Sequence, residues 1–207
     1  MVLESLSLGP FQVNCYILAV ENNSKAIIID PGDEEKKIRR VLDTHSLEPA
    51  LIINTHGHID HIGCNDKFGV PVYIHSLDLA MLNDPKLNLS HLLQPRPSHI
   101  QSQVKVIEDK EKIELGLIQL EVMHTPGHTP GGICLLLKKP QNNILFSGDT
   151  LFYQGVGRTD FPGADEGQLI KSIREKLFKL PEDTVIYPGH GMPSTIGEEM
   201  KNNPFIS

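Results

Sequence analysis

The sequence predicts an α/β fold of two sheets with helices on the outside. The order hairpin, helix, strand occurs in each half of the chain, and a strand-helix-strand unit of this kind favours parallel pairing across a crossover. From Val104 onward the pattern shifts to short strands bounded by Gly, Pro or Asn, as a second sheet requires. With 207 residues, 39% hydrophobic and 22% charged, the chain suits one domain, residues 1–207, with a sizeable core.

FQVNCYILAV (11–20) and KAIIID (25–30) read as strands joined by ENNS (21–24), whose Asn and Ser residues suit a turn. Pro31-Gly32 ends the second strand. Residues 33–45 then carry Ile38, Val41 and Leu42 behind leading acidic residues, the pattern of a helix. ALIIN (50–54) is the next strand, followed by a short helical segment over 62–68, a strand over VPVYIH (70–75) and a helix over 76–82. Residues 83–98 hold three prolines and no period, and read as an irregular loop. The second sheet is expected to take VKVIE (104–108), LIQLEVMH (117–124), ICLLLK (133–138) and NILFS (143–147). Leu169, Ile173 and Leu177, with Ile170 and Phe178 beside them, give residues 165–179 one apolar side, and Pro181 stops this helix. TVIY (184–187) is a last strand and IGEEMK (196–201) a last helix.

A net charge of −7 without a basic run repels a phosphate backbone, so nucleic acid is not an expected partner. No stretch approaches the roughly 20 apolar residues of a membrane span, and MVLESLSLGPF at the N-terminus lacks a signal-peptide pattern. No membrane partner is expected either, and the chain is placed in the cytoplasm. Cys15, Cys64 and Cys134 are odd in number and scattered, which fits reduced thiols.

THGHIDH (55–61) puts His56, His58, Asp60 and His61 into six positions directly after a buried strand. Imidazole and carboxylate are the usual ligands of zinc and related divalent ions, at about 2.0–2.2 Å, and distances that short demand convergence. Gly57 leaves room for the chain to bend so that His56 and His58 reach one ion. Asp60 and His61, being adjacent, leave in different directions, so one short loop can serve two ions. Three later stretches repeat the arrangement of strand, glycine and ligand-type residue: His128 after Gly127, Asp149 after Gly148 and His190 after Gly189. Active residues collect at such strand ends because loops converge there.

THGHIDH (55–61), TPGHTPG (125–131), SGDT (147–150) and YPGHG (187–191) together resemble the motifs of the metallo-β-lactamase superfamily, and more narrowly its short glyoxalase II-like, hydroxyacylglutathione hydrolase-like members. The resemblance runs from FQVNCY (11–16) through IIDPG (28–32) and GRTDFPG (157–163) to NPF (203–205). It implies a four-layer αββα sandwich of two mixed sheets with a dinuclear metal centre between them. By the same resemblance His56, His58 and His128 hold one ion, Asp60, His61 and His190 the other, and Asp149 bridges both, with Asp60 and Asp149 as the catalytic carboxylates. His124 falls outside this set, as do His45, His75, His91 and His99.

Two divalent ions about 3.5–4 Å apart lower the pKa of a shared water toward neutrality, and one of them polarises the substrate carbonyl. A thioester suits such a site, because a thiolate leaves with little help from a general acid. The expected activity is therefore hydrolysis of a small-molecule thioester, S-lactoylglutathione or a related hydroxyacyl thioester, by a metal-bridging hydroxide. Zinc is the expected metal, and the same ligands accept iron or manganese. Arg158 is a candidate binder of a substrate carboxylate, against an internal pair with Asp160 that shapes its loop. Full-length glyoxalase II enzymes add a C-terminal helical domain that helps hold glutathione, which a chain ending at Ser207 is expected to lack. Gly57 and Ile59 also stand where those enzymes often have a histidine and an aromatic residue. Cys64 is expected to pack near the metals.

Two other readings compete. A mononuclear iron persulfide dioxygenase shares the GRTD (157–160) region, but such enzymes tend to have alanine where Gly189 stands. A non-enzymatic metal-binding module predicts metal without turnover. A true β-lactamase is disfavoured, because Asp149 stands where the best-known zinc β-lactamases have a cysteine.

Overall fold

The computed structural model describes residues 1–92 and 100–206. The chain forms two compact units, Met1–Ile107 and Glu108–Ser207. Among the described residues no helix is long and apolar enough to cross a membrane.

The first unit is a six-stranded mixed sheet in chain order: β1 (Val2–Leu8), β2 (Val13–Ala19), β3 (Lys25–Ile29), β4 (Glu48–Ile53), β5 (Val72–His75) and β6 (Val104–Ile107). β1, β2 and β3 form an antiparallel meander, and β3 to β6 run parallel. All seven residues of β2 are buried, as suits a strand paired on both sides and apolar at every position but Asn14. α1 (Glu35–Thr44) makes the crossover from β3 to β4 and buries Ile38 and Leu42, one turn apart, in the core of this unit. α2 (Ile59–Ile62) is a single turn following β4. The helix expected over 76–82 is a 3₁₀ helix, Ser76–Leu82, burying Asp78, Met81 and Leu82.

One expectation is corrected, and one strand is added. VKVIE (104–108) does not join the second sheet: β6 pairs in parallel with β5, Val72 opposite Val104 and His75 opposite Ile107. The chain makes a crossover between these two parallel strands, and the part of the expected loop at residues 93–98 lies outside the described residues. β1 escaped the sequence reading because Glu4, Ser5 and Ser7 interrupt its apolar residues, as suits an edge strand paired on one side only.

The second unit holds β7 (Lys112–Leu115), β8 (Ile118–His124), β9 (Ile133–Lys139), β10 (Ile144–Gly148), β13 (Val185–Pro188) and β14 (Ser194–Thr195), ordered β14-β13-β10-β9-β8-β7. β10 and β13 are parallel and the other neighbours antiparallel. β11 (Leu151–Phe152) and β12 (Gly155–Val156) form a small separate hairpin. α3 (Glu166–Glu175) is capped by Asp165, whose side chain accepts the Gln168 N–H at 2.9 Å, and buries Leu169 and Ile173 completely. α4 (Ile196–Asn202) closes the unit.

The repetition read in the sequence is real. β2, β3, α1 and β4 recur as β9, β10, α3 and β13, each an antiparallel hairpin, a helix and a strand parallel to the hairpin's second member. Each crossover ends by delivering a ligand-type loop beside the strand end it started from.

Leu169→Ala, by leaving a cavity under α3, is expected to lower stability by about 2–5 kcal/mol, read as a reduced urea midpoint with an unchanged slope.

Candidate metal centre

On the first unit one buried carboxylate organises the donors. Asp30, 1% exposed, follows β3 with a φ of 51°, a conformation that Asp tolerates better than most residues. It accepts the Thr55 N–H at 2.8 Å and the Thr55 hydroxyl at 2.6 Å, and faces His61 Nδ1 at 2.9 Å. A carboxylate only accepts, so Nδ1 carries the proton. His61 then presents Nε2, which stands 3.8 Å from Asp60 Oδ2. Pairing one ring nitrogen with a carboxylate is how metal-binding histidines are commonly oriented.

The stretch between His56 and His58 is held from another side. The Gly57 N–H donates to the fully buried Asp78 carboxylate at 3.2 Å, and the Ile59 N–H to the Asn88 carbonyl at 2.9 Å. A side chain at Gly57 would put a Cβ 2.4 Å from Met81 Cβ, so this close approach excludes anything larger than glycine. His56 Nε2 and His58 Nδ1 converge to 3.0 Å, and the rings of His56 and His61 stand 4.1 Å apart at their centroids. Behind the loop, Asn54 and Asn65 exchange amide hydrogen bonds at 2.8 and 3.2 Å.

On the second unit, parallel β10 and β13 lead into Gly148-Asp149 and Gly189-His190. The Gly189 N–H donates to the Gly148 carbonyl at 2.8 Å, which sets the two side chains next to each other. Asp149 Oδ2 lies 3.7 Å from His190 Nε2 and 3.5 Å from His128 Nε2. His128 Nδ1 donates to the Arg158 carbonyl at 2.7 Å, so this ring also presents Nε2. Gly157 makes room for the arrangement, since a Cβ there would lie 1.9 Å from the Asp149 carbonyl oxygen.

The carboxylate–imidazole separations test whether a cation fits. At 3.5, 3.7 and 3.8 Å they exceed the roughly 2.7–2.9 Å of a charge-assisted hydrogen bond. Two atoms each about 2.1 Å from one tetrahedral ion stand about 3.4 Å apart. The spacing therefore suits donors that face a shared divalent ion, and imidazole with carboxylate suits zinc, iron or manganese.

The remaining residues singled out in the sequence fall as follows. Arg158 donates twice to Asp160, at 2.9 and 2.7 Å, and lies over the Phe161 ring at 4.4 Å. These hydrogen bonds hold the Asp160 carboxyl below its ordinary range. Cys15, Cys64 and Cys134 are buried and unpaired with one another. Burial pushes the Cys64 and Cys134 thiols up to about 11, and Cys15 well above its usual value. His45 contacts Asn22 and Glu4, His75 accepts the Leu77 N–H, and His91 and His124 bond the carbonyls of Pro85 and Pro130. His99 lies outside the described residues. Asp30, Asp78 and the Arg158 carbonyl are additions made by the structure; only Asp30 had a sequence signal, its place before Pro31-Gly32 at a strand end.

Comparison with known proteins gives consistent results. The metallo-beta-lactamase superfamily matches residues 8–190. The chain is 33% identical over 212 residues to hydroxyacylglutathione hydrolase GloC of Haemophilus influenzae, covering 100% of this chain and 99% of that protein. It is similar to the crystal structure of BLEG-1 B3 metallo-beta-lactamase, with a TM-score of 0.89 and 38% identity over 100% of both chains. It is also similar to the crystal structure of TTHA1623 in a di-iron-bound form, with a TM-score of 0.82 and 36% identity over 98% of this chain and 99% of that one. These likenesses show the fold, two mixed sheets with helices, to be the one the motifs imply.

Asp30→Asn keeps one acceptor and turns the other oxygen into a donor facing Thr55 and His61. Its affinity for zinc, measured by chelator competition, is expected to fall about 10–100-fold. Gly157→Ala should displace Asp149 and weaken zinc binding in the same assay.

Proposed function

The chain belongs to the metallo-beta-lactamase superfamily, and from that membership we propose that it is a metal-dependent hydrolase of a thioester, S-lactoylglutathione or a related hydroxyacyl thioester. In this reading His56, His58 and His128 hold one divalent ion, Asp60, His61 and His190 hold a second, and Asp149 serves both. The observation that carries it is the position of Asp149, whose Oδ2 faces two imidazole nitrogens at once, at 3.5 and 3.7 Å. A carboxylate so flanked is what a shared ligand requires. Zinc is the proposed metal, and the di-iron form of a similar protein supports iron as the next choice.

Bound divalent ions supply Lewis acidity that makes water nucleophilic near neutrality and steadies oxyanion charge. The chain's own residues set the geometry. Asp30 and the Arg158 carbonyl fix His61 and His128 in the tautomer that presents Nε2. His56, His58 and His61 are buried, whereas the Asp60 and Asp149 side chains keep 21% and 11% exposure and so reach solvent. In the net reaction the oxygen of water joins the acyl carbon, the C–S bond breaks, and the sulfur leaves as a thiol. A thiolate is a weak enough base to leave without a dedicated acid. Arg158, 68% exposed at its side chain, is the proposed binder of a substrate carboxylate, which replaces Asp160 in its two-pronged pairing.

The relative from Haemophilus influenzae, a hydroxyacylglutathione hydrolase similar along its whole length, supports the thioester. A second reading, β-lactam hydrolysis, is favoured by the likeness to BLEG-1. The acidic balance of −7 supports a small-molecule substrate over nucleic acid, and we place the protein in the cytoplasm without a membrane partner.

Purified protein loaded in turn with zinc, iron(II) and manganese separates these readings when offered S-lactoylglutathione, a chromogenic cephalosporin, and glutathione persulfide under a dioxygen electrode. Thioester turnover is expected, abolished by a chelator and reduced more than about 100-fold in Asp149→Ala, beyond the effect of an outer-shell partner. Arg158→Ala should raise KM with kcat little changed. Cephalosporin turnover without thioester turnover, or dioxygen uptake with persulfide, would replace the thioester reading, and bound metal without turnover would make the protein a binding module.

A further inference from the structure

Glu199 lies on α4, 1% exposed. Its Oε2 accepts the Gln154 N–H at 2.9 Å and the Asn203 side-chain amide at 2.7 Å, and its Oε1 accepts the Ser194 hydroxyl. A buried carboxylate is costly unless donors surround it, and these three come from places that matter. Gln154, with a φ of 51°, sits at the tip of the β11–β12 hairpin, five residues after Asp149. Ser194 begins β14, four residues after His190. One carboxylate therefore ties together the two segments through which Asp149 and His190 leave the site. Asn203 reinforces the tie by donating also to the Gly155 carbonyl at 3.0 Å. The same hairpin carries Phe152, whose ring meets the His190 ring edge-on, 6.3 Å between centroids and 86° between planes.

We propose that Glu199 is a positioning residue for the pair formed by Asp149 and His190, fixing their separation from behind by clamping the β11–β12 hairpin to the start of β14. The proposal rests on the reading of those two residues as metal ligands. At the front, the Gly189 N–H to Gly148 carbonyl bond fixes where the two loops begin. Glu199 fixes where they end. A ligand loop held at one end only would trade a defined donor separation for a range of them, and a cation held by both donors would bind less tightly.

The chemistry of the clamp distinguishes it from simple core filling. In Glu199→Gln the amide oxygen can take the place of Oε2 and keep both of its donors, while the amide nitrogen donates to Ser194, whose hydroxyl reverses. In Glu199→Met a side chain of similar length offers no acceptor worth the name, and Gln154 N–H and the Asn203 amide lose their partner. Zinc affinity of the full-length protein, measured by chelator competition well below the melting temperature, is expected to stay near wild type in Glu199→Gln and to fall about tenfold in Glu199→Met. Hydrogen exchange at the Gln154 amide in metal-free protein should remain slow in wild type and Glu199→Gln and become fast in Glu199→Met. Wild-type affinity in Glu199→Met, or equal losses in both variants, overturns the proposal. If Glu199→Met fails to fold, Ser194→Ala decides: weakened zinc binding supports the clamp and unchanged binding overturns it. A wild-type protein that takes up no zinc, iron or manganese sinks the metal reading instead, and the clamp is then judged by Gln154 exchange alone, with equal protection in all three proteins counting against it.

Discussion

A carboxylate buried at the end of a strand must find donors, and Asp30 finds three of them on the chain that carries the histidines. Left without them, a buried charge of this kind would cost several kcal/mol. The requirement therefore acts as a constraint on the whole first unit: β3 and β4 must lie side by side and in parallel, β4 must end at Ile53 so that Thr55 meets Asp30, and the turn after it must bring His61 back over the strand end. The parallel pairing delivered by α1 meets each condition. Metal chemistry, in this view, is built on a polar interaction that the fold has to satisfy in any case.

The second unit reaches a similar result by different means. Backbone groups replace Asp30: the Gly148 carbonyl joins two loops, and the Arg158 carbonyl turns His128. Both units thus contain a hairpin, a crossover helix and a parallel strand whose ends carry donors, but one orients its histidine with a side chain and the other with the main chain. The glycines of the second unit serve two needs: Gly148 and Gly191 take positive φ of 48° and 79°, and Gly157 permits a close backbone approach. At Gly157 the Asp149 carbonyl occupies the place of a side chain.

The ligand-type residues were legible because their spacing is local. Four donors in six positions after an apolar run leave few alternatives, and each later motif repeats the same short grammar of strand, glycine and donor. What supports them was not legible, because it comes from far along the chain. Asp30 acts on residues 25 and 31 positions away, Asp78 on one 21 away, and Glu199 on one 45 away. Nothing in the residues around Asp78 or Glu199 marks them off from ordinary acids on amphipathic helices. Sheet membership failed for a related reason. VKVI (104–107) has the composition of a strand, but composition does not name a partner, and β5 lies far back along the chain, at 72–75. Where the sequence repeats an order of elements, as in the two hairpin-helix-strand units, topology could be read; where a strand joins alone, it could not.

Position 158 divides its labour between two parts of one residue. The carbonyl holds His128, while the guanidinium, 68% exposed, pairs with Asp160 and lies over Phe161, whose ring stands edge-on to that of His128. Since every amino acid brings the same carbonyl, an altered side chain there keeps the hydrogen bond that fixes the tautomer of His128. If Arg158 meets substrate as proposed, descendants of this chain are free to trade its side chain for a neutral, acidic or bulky one and so explore new compounds, while the main-chain bond to His128 persists.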